Sequence, residues 1–267
     1  MTHPSLLSVT STCYHDSFRF VNRCIEKFQW QDLSKDVIMD IGCGHELNCC
    51  IAILDQFPDV RELIAVDKDS TVFQKAHTRE RRIRFCVGDI QERDSLKSYE
   101  GKMDKVISTN TFDEIIDKEM SFRNAYRLLK PGGEAGFYFC VNTYMHKFLS
   151  VLSEIPKYAA IIEDKYAKNL NPPEHGKQYY KELLEKIGFK QVLAFDNEKR
   201  VLFPSDQSFK DDFLEHLKTY LKLSPEATET SEAEVVELYE KVFGRTDGKL
   251  LYVSAQLNLL GVKPVET

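Results

Sequence analysis

The sequence predicts an α/β fold, a mostly parallel sheet with helices on both faces. Three observations predict it. Five short apolar runs, at 37–42, 62–67, 83–88, 104–109 and 134–142, alternate with amphipathic stretches at 47–57, 70–78, 91–99 and 117–129. The first run ends in a glycine turn, Gly42-Cys43-Gly44, that opens a helix. Pro131-Gly132-Gly133 stops the fourth helix, and its glycines permit the reversal into the fifth strand.

Beyond residue 142 the pattern changes. Residues 143–168 read as helix broken at Pro156, and Asn171-Pro172-Pro173 is a breaker. A helix over 176–187 ends at Gly188 as its C-cap. Residues 190–203 alternate as one long strand or a strand pair, 209–223 and 232–243 are amphipathic helices, and 250–259 closes as a strand. The expected organisation is a single domain over 1–267. It has a ligand-binding core at about 30–142, a helical cover at about 143–187 and 205–248, and edge strands at about 190–203 and 250–259. Tyr144, Met145, Phe148, Leu149, Tyr158 and Phe209 make the cover apolar, as an apolar pocket or a packed core would require.

Composition excludes several classes. The chain has 267 residues and a net charge of −6, with 42 % hydrophobic and 29 % charged residues, an ordinary globular balance. Its densest basic group, Arg79, Arg81, Arg82 and Arg84, straddles one turn, so extended nucleic-acid contact is not expected. Seven cysteines with neither CxxC nor zinc spacing read as buried reduced thiols in a cytoplasmic protein, and no metal is expected. The N-terminus lacks a basic segment followed by an apolar core, and no window approaches 18 apolar residues, so neither a secretory signal nor a membrane span is expected.

The glycine turn points to a nucleoside ligand. Gly42 and Gly44 let a ligand approach the backbone. Asp67 ends the second strand, 25 residues after Gly42, where a carboxylate accepts hydrogen bonds from a ribose diol. Asp89 follows the third strand at the same edge of the sheet. A pyrophosphate requires GxGxxG, whereas this turn reads GCGHEL, and Glu46 would repel phosphate. S-adenosylmethionine has no phosphate and carries a cationic sulfonium and amine.

The strings DIGCGHE, VD at 66–67, GDI at 88–90 and LLKPGGE at 128–134 resemble class I S-adenosylmethionine-dependent methyltransferases over about 35–142. The resemblance implies a Rossmann-like seven-stranded sheet with helices on both faces and a helical cover. It implies that Gly42 and Gly44 contact the methionine part, with Asp40 helping to hold its amine. Asp67 with Lys68 would meet the ribose, and Asp89 with Ile90 the adenine. Cys43, Asn110 and Thr111 would line the same cleft.

A narrower resemblance, carried by SFRNAYRLLKPGGE, LLEKIGFKQV and the layout of the last 80 residues, is to the juvenile hormone acid O-methyltransferases of arthropods. Those enzymes methylate the carboxylate of an isoprenoid acid, held by an N-terminal glutamine and a tryptophan after the fourth strand. Here no glutamine precedes Gln29, and Asp113 or Glu114 stands in the tryptophan's place. Both acids fit two roles, opening the next helix as caps or facing the acceptor. Tyr14 and His15, on an N-terminal helix that in this family closes over the cofactor, are further acceptor-pocket candidates. The acceptor is expected to be a small, apolar molecule, with a carboxylate disfavoured and an amine or hydroxyl favoured; a non-catalytic cofactor-binding or partner-binding protein is the alternative. The sequence sets no oligomeric state.

Overall fold

All five residues of β1 (Val37–Ile41) are buried, as a strand covered by helices on both faces must be. The computed structural model describes residues 9–76, 82–160, 162, 174–203, 205–220 and 225–265. After helix α1 (Val9–Phe28) come β1, α2 (Asn48–Gln56), β2 (Glu62–Asp67), α3 (Val72–Ala76), β3 (Ile83–Val87), α4 (Arg93–Leu96), β4 (Met103–Thr109), α5 (Lys118–Leu128) and β5 (Leu129–Thr143). Then follow α6 (Tyr144–Ser153), α7 (Pro156–Ala159), α8 (Lys177–Ile187), β6 (Lys190–Leu202), α9 (Asp206–Tyr220), α10 (Pro225–Phe243), β7 (Arg245–Thr246) and β8 (Lys249–Val262). Residues 171–173 and the side chains of Tyr144 and Met145 lie outside what is described.

The sheet runs β3-β2-β1-β4-β5-β8-β6, with β7 paired to β8. Strands β1 to β5 pair in parallel, β1 lying between β2 and β4. Strand order therefore reverses between β1 and β4, which opens a crevice at their carboxyl ends. This is the Rossmann-like arrangement of seven main strands with flanking helices that the sequence predicts.

Two placements differ from expectation, and one choice left open by the sequence is decided. Strand β5 begins at Leu129, so Pro131-Gly132-Gly133 lies within the strand. The Gly132 N–H donates to Lys263 O and the Lys263 N–H to Gly133 O, both at 2.8 Å, which anchors the segment to a distant part of the chain. Helix α5 begins at Lys118, capped by Asp117, whose carboxylate accepts from the Met120 N–H at 2.8 Å. Asp113 and Glu114 are therefore not its caps. Helix α8, grouped by sequence with the cover, packs with the first of two compact units because Tyr180 is buried against Phe122 and Phe139.

That first unit comprises Met1–Phe139, Gly176–Phe195 and Leu257–Thr267. Its core includes Phe20, Val21 and Cys24 of α1 with Leu47, Cys49, Cys50 and Ile53 around α2. The second unit comprises Cys140–His175 and Asp196–Gln256. Phe148, Leu149, Tyr158 and Phe209 are buried there beside Phe213 and Tyr239, so these four serve as core.

Candidate functional site

At the carboxyl end of β1 the chain must leave a buried strand and turn at once. Gly42 does so with φ of 71° and Gly44 with φ of 59°, conformations that favour glycine. The Gly42 and Cys43 N–H groups donate to Val66 O at 2.8 and 3.0 Å, and the Gly44 N–H donates to Asp67 Oδ2 at 3.0 Å. The turn's three amides are thus bonded within the protein instead of being presented as a phosphate cradle. A Cβ on Gly42 would stand 2.2 Å from atoms of Thr111, whereas one on Gly44 would meet nothing within 4 Å. Gly44 therefore faces open space at the turn.

The acids follow from the same topology. Asp67 closes β2, and its Oδ1 accepts from the Asp69 N–H at 3.0 Å. Asp89 follows β3; its Oδ1 accepts from the Gln91 N–H at 2.9 Å, and Ser95 Oγ bonds both ends of its backbone. Asn124 holds Ile90 by donating to its carbonyl at 2.7 Å. After β4, Asn110 adopts a left-handed φ of 56° that asparagine tolerates, and its N–H donates to Tyr138 O. Thr111 Oγ1–H donates to Gly42 O at 3.1 Å, joining the two sides of the crevice.

These residues surround one cleft. Of the sequence candidates, Gly42, Gly44, Asp67, Lys68, Asp89, Ile90, Asn110, Thr111 and Glu114 line it, together with Ile41, Gly88, Gln91 and Ile115. Sequence reasoning missed Gln91 and Ile115. Gln91 follows GDI directly, and its Oε1 accepts from the Asp117 N–H at 3.2 Å, tying the β3 loop to the start of α5.

Asp40, Cys43 and Asp113 are not in that lining. Asp40 is buried at 1 % exposure behind the turn, where its Oδ2 accepts from Cys50 Sγ at 3.0 Å and its Oδ1 has no partner. Burial pushes its carboxyl up to about 6, against bonds from Cys50 and Cys49 that favour the charged form. Cys43 is buried, and its thiol is pushed up first by burial and then by Asp40 and Asp67. Asp113 lies between Phe112, wholly buried in an aromatic cluster, and Glu114. Its Oδ1 is buried without a partner, and burial followed by the neighbouring Glu114 pushes its carboxyl up to about 6.

Tyr14 and His15 are not brought to the cleft lining. The Tyr14 hydroxyl donates to Asp55 Oδ2 at 2.6 Å on α2, a bond that raises its pKa to about 12. His15 is exposed, with its ring 5.9 Å from that of Tyr14. Glu46, also outside the lining, lies 3.1 Å from His45 Nε2. Among the described residues no group of three or more His, Cys, Asp or Glu side chains could hold a metal ion, and no helix is long and apolar enough to cross a membrane.

Three carboxylates and one lysine line the cleft, which suits a cationic ligand and opposes a pyrophosphate. S-adenosylmethionine fits this set: it carries a single net positive charge, Asp67 and Asp89 stand at the strand ends where a nucleoside lies, and Gly44 leaves the turn open.

Comparison with known proteins agrees. Residues 32–197 match the family described as a methyltransferase domain. A protein of Invertebrate iridescent virus 6 named as methyltransferase 235L is 29 % identical over 135 residues, which is 50 % of this chain and 48 % of the viral one. The chain thus spans about half the length of that curated relative. Among solved structures, a methyltransferase of Bacillus halodurans superposes with a TM-score of 0.62 at 13 % identity, over 94 % of this chain and 100 % of its own. A sarcosine dimethylglycine methyltransferase of Galdieria sulphuraria gives 0.56 at 14 % identity, over 94 % and 86 %. Phosphoethanolamine N-methyltransferase 2 of Haemonchus contortus, solved with phosphomonomethylethanolamine and S-adenosylhomocysteine, gives 0.53 at 16 % identity, over 94 % and 52 %. At these identities the likeness is one of fold.

Proposed function

The chain belongs to the methyltransferase-domain family, and from that premise we propose that it transfers a methyl group from S-adenosylmethionine to a small-molecule acceptor. The observation that carries this reading is the glycine turn whose amides are bonded internally while Asp67, Asp89 and Glu114 line the cleft. When bound, the cofactor supplies a methyl group already activated by its sulfonium, so no protein nucleophile is needed. The chain's work is to hold, align and exclude water. Asp67 would accept from the ribose hydroxyls, Asp89 and Ile90 would flank the adenine, and Gly44 would give the methionine part room, whereas the missing side chain of Gly42 makes room for Thr111.

The resemblance to juvenile hormone acid O-methyltransferases, on SFRNAYRLLKPGGE and LLEKIGFKQV, favours an apolar acceptor ending in a carboxylate. Glu114 in the cleft lining opposes a carboxylate, since like charges about 4 Å apart repel by about 4 kcal/mol at an effective dielectric near 20. An amine or hydroxyl at the reacting end is therefore the better fit. The alternative of a non-catalytic member rests on Glu46, which lies outside the cleft lining, and on the altered acceptor stretch at 109–117, which contributes Asn110, Thr111, Glu114 and Ile115 to it.

Thermal unfolding with S-adenosylhomocysteine against NAD tests the cofactor. The former at 100 times its dissociation constant should stabilise the chain by about 2.7 kcal/mol, and NAD should do nothing. Asp67→Ala should weaken S-adenosylhomocysteine by about 1.5–3 kcal/mol for each charged hydrogen bond lost. Stabilisation by NAD alone, or undiminished affinity in a folded Asp67→Ala chain, would overturn the reading.

A further inference from the structure

We propose that Gln91 is a positioning residue that makes the cleft select a 6-amino purine, by holding the Asp89 carboxylate in one orientation. This deepens the methyl-transfer reading above and rests on it. Asp89 and Gln91 both line the cleft, two residues apart on the loop after β3. The backbone of that loop is fixed without the Gln91 side chain. The Asp89 N–H donates to Ser95 Oγ at 3.1 Å, and the Ser95 hydroxyl donates to the Asp89 and Glu92 carbonyl oxygens, each at 2.8 Å. Asn124 Nδ2 donates to Ile90 O at 2.7 Å. What these bonds leave open is the rotation of the Asp89 side chain.

Gln91 closes that freedom. Its N–H donates to Asp89 Oδ1 at 2.9 Å, and its Nε2 lies 3.5 Å from the same oxygen. Its Oε1 accepts from the Asp117 N–H at 3.2 Å, at the cap of α5. An amide has one accepting end and one donating end. The Asp117 N–H demands the oxygen, so the nitrogen faces Asp89. The reverse placement would set an NH2 against an N–H and an oxygen against a carboxylate. Asp117 is anchored in turn, because its carboxylate accepts from the Met120 N–H at 2.8 Å. Helix α5 therefore governs the orientation of an acid on the β3 loop. Both Gln91 donors converge on Oδ1, and among the described residues no donor is bonded to Oδ2. Oδ2 is the oxygen left for a ligand, and as part of a carboxylate it only accepts. An exocyclic amine at C6 of a purine would satisfy it, and a carbonyl oxygen there would be repelled.

The test compares, by calorimetry on the full chain, the affinities of S-adenosylhomocysteine and of S-inosylhomocysteine, which carries a 6-oxo group. The parent should prefer the amino compound by at least about tenfold, the scale of one hydrogen bond to a charged group. Two variants probe Gln91. Gln91→Glu keeps an acceptor for the Asp117 N–H but turns an oxygen toward Asp89. Gln91→Met removes both side-chain contacts at similar length. The preference should shrink by at least about threefold in each, the equivalent of half a hydrogen bond to a charged group. Taking the ratio within each variant cancels any general loosening of the loop, which weakens both compounds alike. Asp89→Asn, whose amide can donate to a 6-oxo group, should lower the preference further. A parent that binds both compounds equally overturns the assignment and leaves the cofactor reading standing. So does an undiminished preference in both Gln91 variants or in Asp89→Asn. A parent that binds neither compound overturns both.

Discussion

The two walls of the cleft are built differently. On the β1–β2 side the turn is held by backbone bonds, with Gly42 and Cys43 on Val66 O and Gly44 on Asp67. On the β4–α5 side the wall is held by side chains: Phe112 and Ile115 are buried anchors, Gln91 reaches the Asp117 amide, and Lys118 folds back on Ile115 O. Each wall has one buried carboxyl pushed up to about 6, Asp40 behind the first and Asp113 within the second. A wall made by backbone geometry suits a part of the ligand shared by a whole family. A wall made by particular side chains suits the part peculiar to this chain.

The harshest way to break that contrast is at the turn. Gly42→Val would place its Cβ 2.2 Å from Thr111 at a φ of 71°, so it is strained twice over. A loss of stability of several kcal/mol and loss of cofactor binding are expected, on the scale of overpacking with backbone strain. Gly44→Ala meets nothing within 4 Å, so only the backbone strain of about 1–2 kcal/mol applies to the free protein. Its affinity for S-adenosylhomocysteine should nonetheless fall if the ligand occupies the proposed place, because the new methyl points into the open space at the turn. A Gly44→Ala chain of undiminished affinity, measured by calorimetry, would move the ligand away from the turn.

Next in size is the pH dependence of the first wall. Asp40 is fully buried, and its folded pKa of about 6 stands above the ordinary 3.8. Between those values the folded state binds the proton that the unfolded state has released. Stability from this group is therefore present at low pH and is lost as pH rises from about 4 to about 6, by an upper bound of about 3 kcal/mol at 1.36 kcal/mol per unit. Asp40→Asn should flatten that part of the stability–pH curve, and chemical denaturation at pH 4.5 and 7 measures it. A parent curve that rises over this interval more steeply than the variant's would show Asp40 to be paired and charged. Asp113 contributes with the same sign, so Asp40→Asn removes only part of the slope.

The same contrast explains what was legible in the sequence. Strand ends, the glycine turn and the acids at 67 and 89 announce themselves locally, because backbone geometry demands particular residues at particular spacings. The helix over 117–129 was legible in the same way, but Asp113 and Glu114 also suit its cap, and only the Met120 N–H bond to Asp117 decides against them. The path of β5 through Pro131-Gly132-Gly133 depends on Lys263, far along the chain. Tyr14 looked free to reach a ligand until Asp55, 41 residues away, claimed its hydroxyl.

The smallest expected effect sharpens the contrast most, because it probes the bond that joins the walls. Thr111 Oγ1–H donates to Gly42 O at 3.1 Å, and the same side chain fills the space beside Gly42 that a Cβ would need. Thr111→Val preserves that shape and deletes the hydroxyl's bond to Gly42 O together with its longer one, at 3.3 Å, to Thr109 O. If the turn is placed by its own backbone bonds to Val66, it should stay where it is, and the loss should be about 0.5–1.5 kcal/mol of stability. Affinity for S-adenosylhomocysteine should then fall by no more than about tenfold, the equivalent of 1.4 kcal/mol. A fall as deep as that of Gly42→Val would mean that the side-chain wall positions the backbone wall, and the division of labour between them would have to be reversed.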